Sequence, residues 1–362
     1  MIKEEDFEYM YNSFSSDEKE KFKDSTLLIT GCAGFIGYYM MCFLDEYSEK
    51  LGIKKIIGLD NFMLGKPEWM KRLEEKELFQ IEEFDIITDK IEDVKNSQEA
   101  DLIIHMASVA SPIFYRKYPI ETIDANVEGL RNLLDFYLEK NIKGFLFFST
   151  SEIYGSPSDD QVPTSEDYNG NVSCTGPRAC YDESKRFGET ICRLYAEKYN
   201  MPLGVVRPFN NYGPGLRLDD KRVSADFEKS VFFNEDIVIL SDGAPTRTFC
   251  YIADAVVGYL KILLYGKYDF FNIGIESPEL TMTELAELYK KVGEKVMDYT
   301  GNIRYEISED KDYLTDNPLR RCPNIDKARR LLNYNPTIEI EEGIERTLLF
   351  LKNNEEKEFI DL

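Results

Sequence analysis

The chain is 362 residues long, carries a formal net charge of −23 and contains a single histidine. That charge argues against nucleic-acid binding through a basic face, and one histidine excludes a His-rich metal site and argues against a Ser-His-Asp triad. Seven cysteines without CxxC spacing read as reduced thiols of a cytoplasmic protein, with neither a signal peptide nor an apolar run of membrane-spanning length.

Residues 1–24 are charged and amphipathic, with Phe7, Tyr9, Met10 and Phe14 as the apolar set. They are expected to form an extra helix or arm packed on the neighbouring domain. From Leu27 to Phe209, apolar strand-like runs at 27–30, 56–59, 79–84, 102–105, 145–149 and 203–207 alternate with helical patterns. This alternation predicts an α/β fold with a Rossmann-type, doubly wound parallel sheet whose strands present ligands at their carboxyl ends. Beyond Asn210 the alternation weakens. The expected division is a 1–24 extension, a 25–210 nucleotide-binding domain, and a smaller substrate-binding lobe over 211–362 that returns some chain to the sheet.

The first strand runs into Thr30-Gly31-Cys-Ala-Gly34-Phe35-Ile36-Gly37, and an apolar helical pattern leaves it. Gly31 and Gly34 permit a tight turn and close approach of backbone to a pyrophosphate, and Gly37 permits close helix–strand packing. Asp60 and Asn61 end the second strand at roughly the 20-residue interval expected of the residue that binds an adenosine ribose diol. A carboxylate there repels a 2′-phosphate, so NAD is favoured over NADP. Further along, Tyr181 and Lys185 lie four residues apart on one helix face, where a cation favours the phenolate and makes Tyr181 a candidate base. The loops after the fourth and fifth strands carry Ala107-Ser108-Val-Ala-Ser111 and Ser149-Thr150-Ser151-Glu152. His105 and Cys180 read as packing residues, Asp182 and Glu183 as a solvated or interface face of the helix.

Taken with Asp85-Ile86, His105-Met106-Ala107, Asn126 and Arg207-Pro-Phe-Asn210-x-Tyr-Gly-Pro214, these motifs resemble the extended short-chain dehydrogenase/reductases that act on nucleotide sugars. Within that family, Gly176-Pro-Arg178-Ala-Cys-Tyr181-Asp-Glu-Ser-Lys185-Arg is most similar to the UDP-glucuronate decarboxylases, also called UDP-xylose synthases. The resemblance implies NAD held by Gly31, Gly34, Phe35, Ile36, Gly37, Asp60, Asn61, Asp85, Ile86, Met106, Ala107, Ser108, Asn126 and Ser149, with Tyr181 and Lys185, and no metal. It implies a UDP-sugar held by Ser111, Ser151, Glu152, Arg178, Asn210, Arg217, Arg222, Arg247 and Arg321, with Arg247 meeting the diphosphate. Tyr181 would take the proton of the sugar 4-hydroxyl, Lys185 would lower the Tyr181 pKa, Thr150 would bond the 4-oxygen, Glu152 would orient the substrate carboxylate or move protons, and Arg222 would protonate C5.

A nucleotide-sugar 4,6-dehydratase and a 4-epimerase remain alternatives, with a non-catalytic NAD-binding protein a distant one. A homodimer is expected through helices 121–140 and 182–199, with Ile123, Val127, Leu130, Leu133, Leu134 and Tyr137 as the surplus apolar surface.

Overall fold

The computed structural model describes residues 2–307, 315, 318–353 and 359. Seven strands form one parallel sheet: β1 Thr26–Thr30, β2 Lys55–Asp60, β3 Phe79–Glu83, β4 Leu102–His105, β5 Gly144–Phe148, β6 Leu203–Pro208 and β7 Asp269–Ile273. Their spatial order is β7-β6-β5-β4-β1-β2-β3. The chain crosses from β1 outward to β3, then returns beside β1 through β4, so the β1/β4 gap is the switch point where such sheets bind ligands. All six strands read from the sequence are present. The seventh comes from beyond residue 210, pairing Asp269–Ile273 with Gly204–Pro208.

The inner strands β1 and β5 are buried at every position, as expected of strands covered on both faces. One face is filled by Leu27, Ile29, Met40, Phe43 and the wholly buried helix Ile252–Leu263; the other by Leu28, Ile103, Leu130, Leu134 and Ile191. Four residues expected to offer surplus apolar surface, Leu130, Leu133, Leu134 and Tyr137, are fully buried in this second layer. The periodicity was real, but the sheet consumes it. The exposed apolar side chains nearby are Ile120, Ile123, Phe187 and Leu194. The helix expected over 121–140 is a helical run broken at Ala125–Gly129 by a π-turn. There a Cβ on Gly129 would lie 2.8 Å from the Ile86 side chain.

The first 24 residues form two helices, Glu4–Asn12 and Ser16–Phe22, the second opened by a Ser15–Glu18 capping box. Phe7, Met10 and Phe14 are buried in the first layer. Asp6 is fully buried, accepts hydrogen bonds from Tyr39 and Tyr251 at 2.7 Å each, and pairs with Arg346 of the last helix. Tyr9 donates to Asp254, which also accepts the backbone N–H groups of Thr337 and Ile338 at 3.0 Å. The N-terminal helix therefore bolts together three regions far apart in sequence. Among the described residues no helix is long and apolar enough to cross a membrane, and no group of side chains is arranged to hold a metal ion.

Removing one member of a buried ion pair strands its partner, at about 3–5 kcal/mol. Asp6→Ala is expected to lower unfolding free energy by that order in urea denaturation. A loss below about 1 kcal/mol would show that the helix is an ornament.

Candidate active site

The carboxyl ends of the sheet strands open onto a cavity of about 1640 Å³, closed on its far side by segments after Asn210. One small ligand commonly occupies roughly 300–1000 Å³, so the cavity accommodates two ligands end to end. Every site residue singled out from the sequence lines it except Asn126. Asn126 is fully buried in the π-turn, and its amide donates to Ser184 at 2.9 Å. It braces the helix between Tyr181 and Lys185 from behind.

On the sheet side, Gly31 has φ +73°, and a Cβ there would sit 2.7 Å from the Ala107 nitrogen. A Cβ on Gly37 would sit 2.3 Å from the Cys32 carbonyl oxygen. The next helix, Phe35–Leu51, begins without a side-chain cap or an acidic residue in its first turn. Its N–H groups and dipole are thus left for an anion. The Asp60 carboxylate accepts the N–H groups of Ala33 at 2.9 Å and Phe62 at 3.0 Å, which fixes it at the rim of the glycine loop. Asp85 is held likewise by the Ile87 N–H at 2.9 Å. Thr30 lies 2.8 Å from the His105 ring and accepts the Ala107 N–H at 3.3 Å, so the one histidine supports the loop floor. Burial pulls its pKa down to about 3, leaving it neutral.

Tyr181 and Lys185 project from the helix Ala179–Tyr199. Burial pushes the Tyr181 phenol up to about 12, against the lowering effects of a hydrogen bond with Thr150 and the charge of Arg222. Lys185 donates to the Phe148 carbonyl at 2.7 Å, and burial drops its pKa to about 7. Its ammonium stands 5.9 Å from the centre of the Tyr181 ring. Thr150 and Arg222 thus do the lowering expected of Lys185, whose charge is itself disfavoured. Both charged forms are penalised singly, so phenolate and ammonium are best borne together.

Beside this pair lies a cluster whose geometry spacing could not reveal. Glu152 is gripped by both terminal nitrogens of Arg321 and by Arg178. Arg178 also faces Asp182 at 3.8 Å. Asp182, expected on a solvated or interface face, is buried within the chain itself, where the helix start that carries it turns inward toward Arg178. Arg321 and Arg247 sit opposite one another on paired two-residue strands. Arg247 donates to the carbonyls of Thr246 and Pro318, and burial with the Arg321 charge lowers it to about 9. Glu152 itself is held down to about 2: burial opposes its charge, but Arg321 and Arg178 outweigh it. It is an ionised carboxylate at neutral pH.

Other expected residues occupy the rim. Arg222 pairs with Asp220 at 2.8 Å, Arg217 with Asp219 at 2.8 Å, and both arginines are part-exposed. The Ser111 hydroxyl donates to the Asp220 carbonyl at 3.2 Å, and the Asn210 amide to the Thr248 carbonyl at 3.0 Å. Ser149 donates to Glu189. Ser151 is buried in the turn between Thr150 and Glu152.

A family model described as the NAD dependent epimerase/dehydratase family matches residues 27–274, more than half of the chain. The chain belongs to that family. It is 34% identical over 328 residues to UDP-glucuronic acid decarboxylase 1 of Arabidopsis thaliana, covering 90% of this chain and 70% of that protein. It is 33% identical to the decarboxylase 1 of Xenopus tropicalis, with 90% and 72% covered. The structure superposes on UDP-glucose 4-epimerase from Thermotoga maritima with a TM-score of 0.78 at 25% identity, covering 90% of this chain and 98% of that one. A dTDP-glucose 4,6-dehydratase from Streptomyces venezuelae shares the fold, with a TM-score of 0.77 at 22% identity and 91% and 97% covered. This family member is an NAD-dependent enzyme, and the glycine loop, open helix N-terminus and Asp60 fit that cofactor.

Asp60→Ala is expected to weaken NAD binding and narrow the gap between NAD and NADP in fluorescence titration. Equal affinities of the parent protein for the two cofactors would contradict the role given to Asp60.

Proposed function

We propose that the enzyme is a UDP-glucuronate decarboxylase working through a 4-keto sugar. The observation that carries this reading is the buried Glu152–Arg321–Arg178 cluster beside Tyr181 and Thr150. Arg247 stands beside this cluster; burial first, and then the charges of Arg321 and Arg178, lower its pKa, against the raising effects of Glu152 and Glu279. An anionic group on the substrate adds a partner for these guanidiniums, and a hexuronate carries one next to C5. The decarboxylase relatives, 34% identical over most of the chain, support the same choice of substrate.

The Gly31–Gly37 loop and Asp60 would hold NAD, which would supply a reversible hydride acceptor for sugar C4. Tyr181, aligned by Thr150 and reacting as the phenolate paired with the Lys185 ammonium, takes the proton of the 4-hydroxyl and keeps its O–H beside the 4-oxygen. With a carbonyl at C4, the C6 carboxylate becomes that of a β-keto acid. The C5–C6 bond breaks, its electron pair moves toward the 4-oxygen, and carbon dioxide leaves. Thr150 and Tyr181 hold the enolate oxygen by hydrogen bonds. Glu152 is ionised, so it orients and repels rather than donating a proton; the paired guanidiniums of Arg178 and Arg321 hold the substrate carboxylate and the water that protonates C5. Arg222, read from the sequence as that acid, pairs with Asp220, yet its charge reaches Tyr181, so it stands near enough to polarise that water.

The exposed Ile120, Ile123, Phe187 and Leu194 support a homodimer through the helices that bear them. All seven cysteines are free thiols, which supports a cytoplasmic setting.

Incubated with UDP-glucuronate, the enzyme is expected to yield a UDP-pentose lighter by one carbon dioxide. Mass spectra showing only isomerised or dehydrated hexose would overturn the reading. Tyr181→Phe is expected to cut turnover roughly a hundredfold to ten-thousandfold while leaving NAD binding intact. A variant that keeps most of its rate would make the helix pair structural. Glu152→Gln, which leaves Arg178 and Arg321 uncompensated, is expected to slow carbon dioxide release more than it weakens NAD binding, as read by a coupled assay beside a titration.

A further inference from the structure

Tyr115 belongs to the short helix Pro112–Lys117 and lines the cavity beside Tyr181. The two rings are stacked, with centroids 5.1 Å apart and planes 10° from parallel. Tyr115 is 1% exposed, and its hydroxyl is buried without a hydrogen-bond partner among the described residues. A buried, unpaired hydroxyl destabilises a protein, and phenylalanine would stack on Tyr181 equally well without it. The hydroxyl therefore calls for an explanation that stacking does not supply.

Its electrostatic neighbours are Arg178, Glu152 and Asp182, members of the cluster assigned above to the substrate carboxylate. The backbone is tied to the same place: the Cys180 thiol, next to Tyr181, donates to the Tyr115 carbonyl at 3.5 Å. Burial holds the Tyr115 phenol well above its ordinary pKa, so it remains protonated through the neutral range and can only offer its O–H to an anion.

Resting on the hexuronate reading of this site, we propose that Tyr115 is a specificity-determining residue whose O–H donates a hydrogen bond to the carboxylate of the sugar. The unpaired hydroxyl, a wall of the cavity and the arginine cluster then form one recognition surface. Arg178 and Arg321 supply charge, and Tyr115 supplies a neutral donor fixed in direction by its stack on Tyr181. An O–H to carboxylate bond is charge-assisted, and a neutral sugar lacking C6 forfeits it.

Tyr115→Phe deletes the hydroxyl and keeps the ring. The test uses the NAD-loaded protein in a Tyr181→Phe background, which prevents turnover, and measures binding of UDP-glucuronate and UDP-xylose by calorimetry with and without Tyr115→Phe. Affinity for UDP-glucuronate is expected to fall roughly tenfold to a hundredfold, with UDP-xylose and NAD unchanged. Unchanged affinity for UDP-glucuronate, or an equal loss for both sugars, would overturn the assignment of Tyr115 alone. If the protein with Tyr115 intact binds UDP-glucuronate no better than UDP-xylose, the hexuronate reading fails and takes the proposal with it.

Discussion

A carboxylate cannot be taken out of water at the end of a β-strand unless opposite charge travels with it. Glu152, just beyond β5, is buried and ionised because Arg178 and Arg321 grip it from two sides. Arg178 sits at the mouth of the helix that carries Tyr181, and Arg321 comes from a strand paired to the one bearing Arg247. The sheet, the tyrosine helix and the C-terminal segment thus meet at one ionic knot. In the proposed decarboxylation, that meeting sets chemistry at C4 and charge recognition next to C5 side by side.

The remainder of the molecule keeps those parts in register. β7 returns the chain beyond Asn210 to the sheet edge, and the apolar helix Ile252–Leu263 fills one of its faces. The N-terminal helix reaches across to both through Asp6 and Tyr9, tying Tyr251 and Asp254 to Arg346 and the backbone near Thr337. Asn126 works on a shorter range, holding Ser184 and with it the helix turn between Tyr181 and Lys185.

Local chemistry made much of this legible in the sequence. The six alternating apolar runs, the glycine loop, Asp60 and the Tyr181–Lys185 spacing each arise from a contiguous stretch, and each appears where the pattern put it. The apolar stripe from Leu130 to Tyr137 was legible as a stripe, but periodicity does not say whether a sheet or a second subunit covers it. What stayed hidden depends on contacts remote in the chain. Nothing around Arg321 announces Glu152, since the two-residue strands that bring Arg321 beside Arg247 are too short to carry a pattern. Asp182 looked solvated or interfacial because its partner Arg178 stands at the helix mouth rather than on the helix face. The Tyr115 stack on Tyr181 is likewise a matter of tertiary packing.

The central claim is that loss of the C6 carboxylate leaves a C5 carbanion equivalent that is protonated inside the arginine-lined site. Turnover of UDP-glucuronate in deuterium oxide, with the product sugar read by proton and deuterium NMR, tests it most directly. The expected product is a UDP-pentose carrying a single deuterium at C5, in one stereochemical configuration. A hexuronate product with C6 intact and no deuterium at C5 would contradict it.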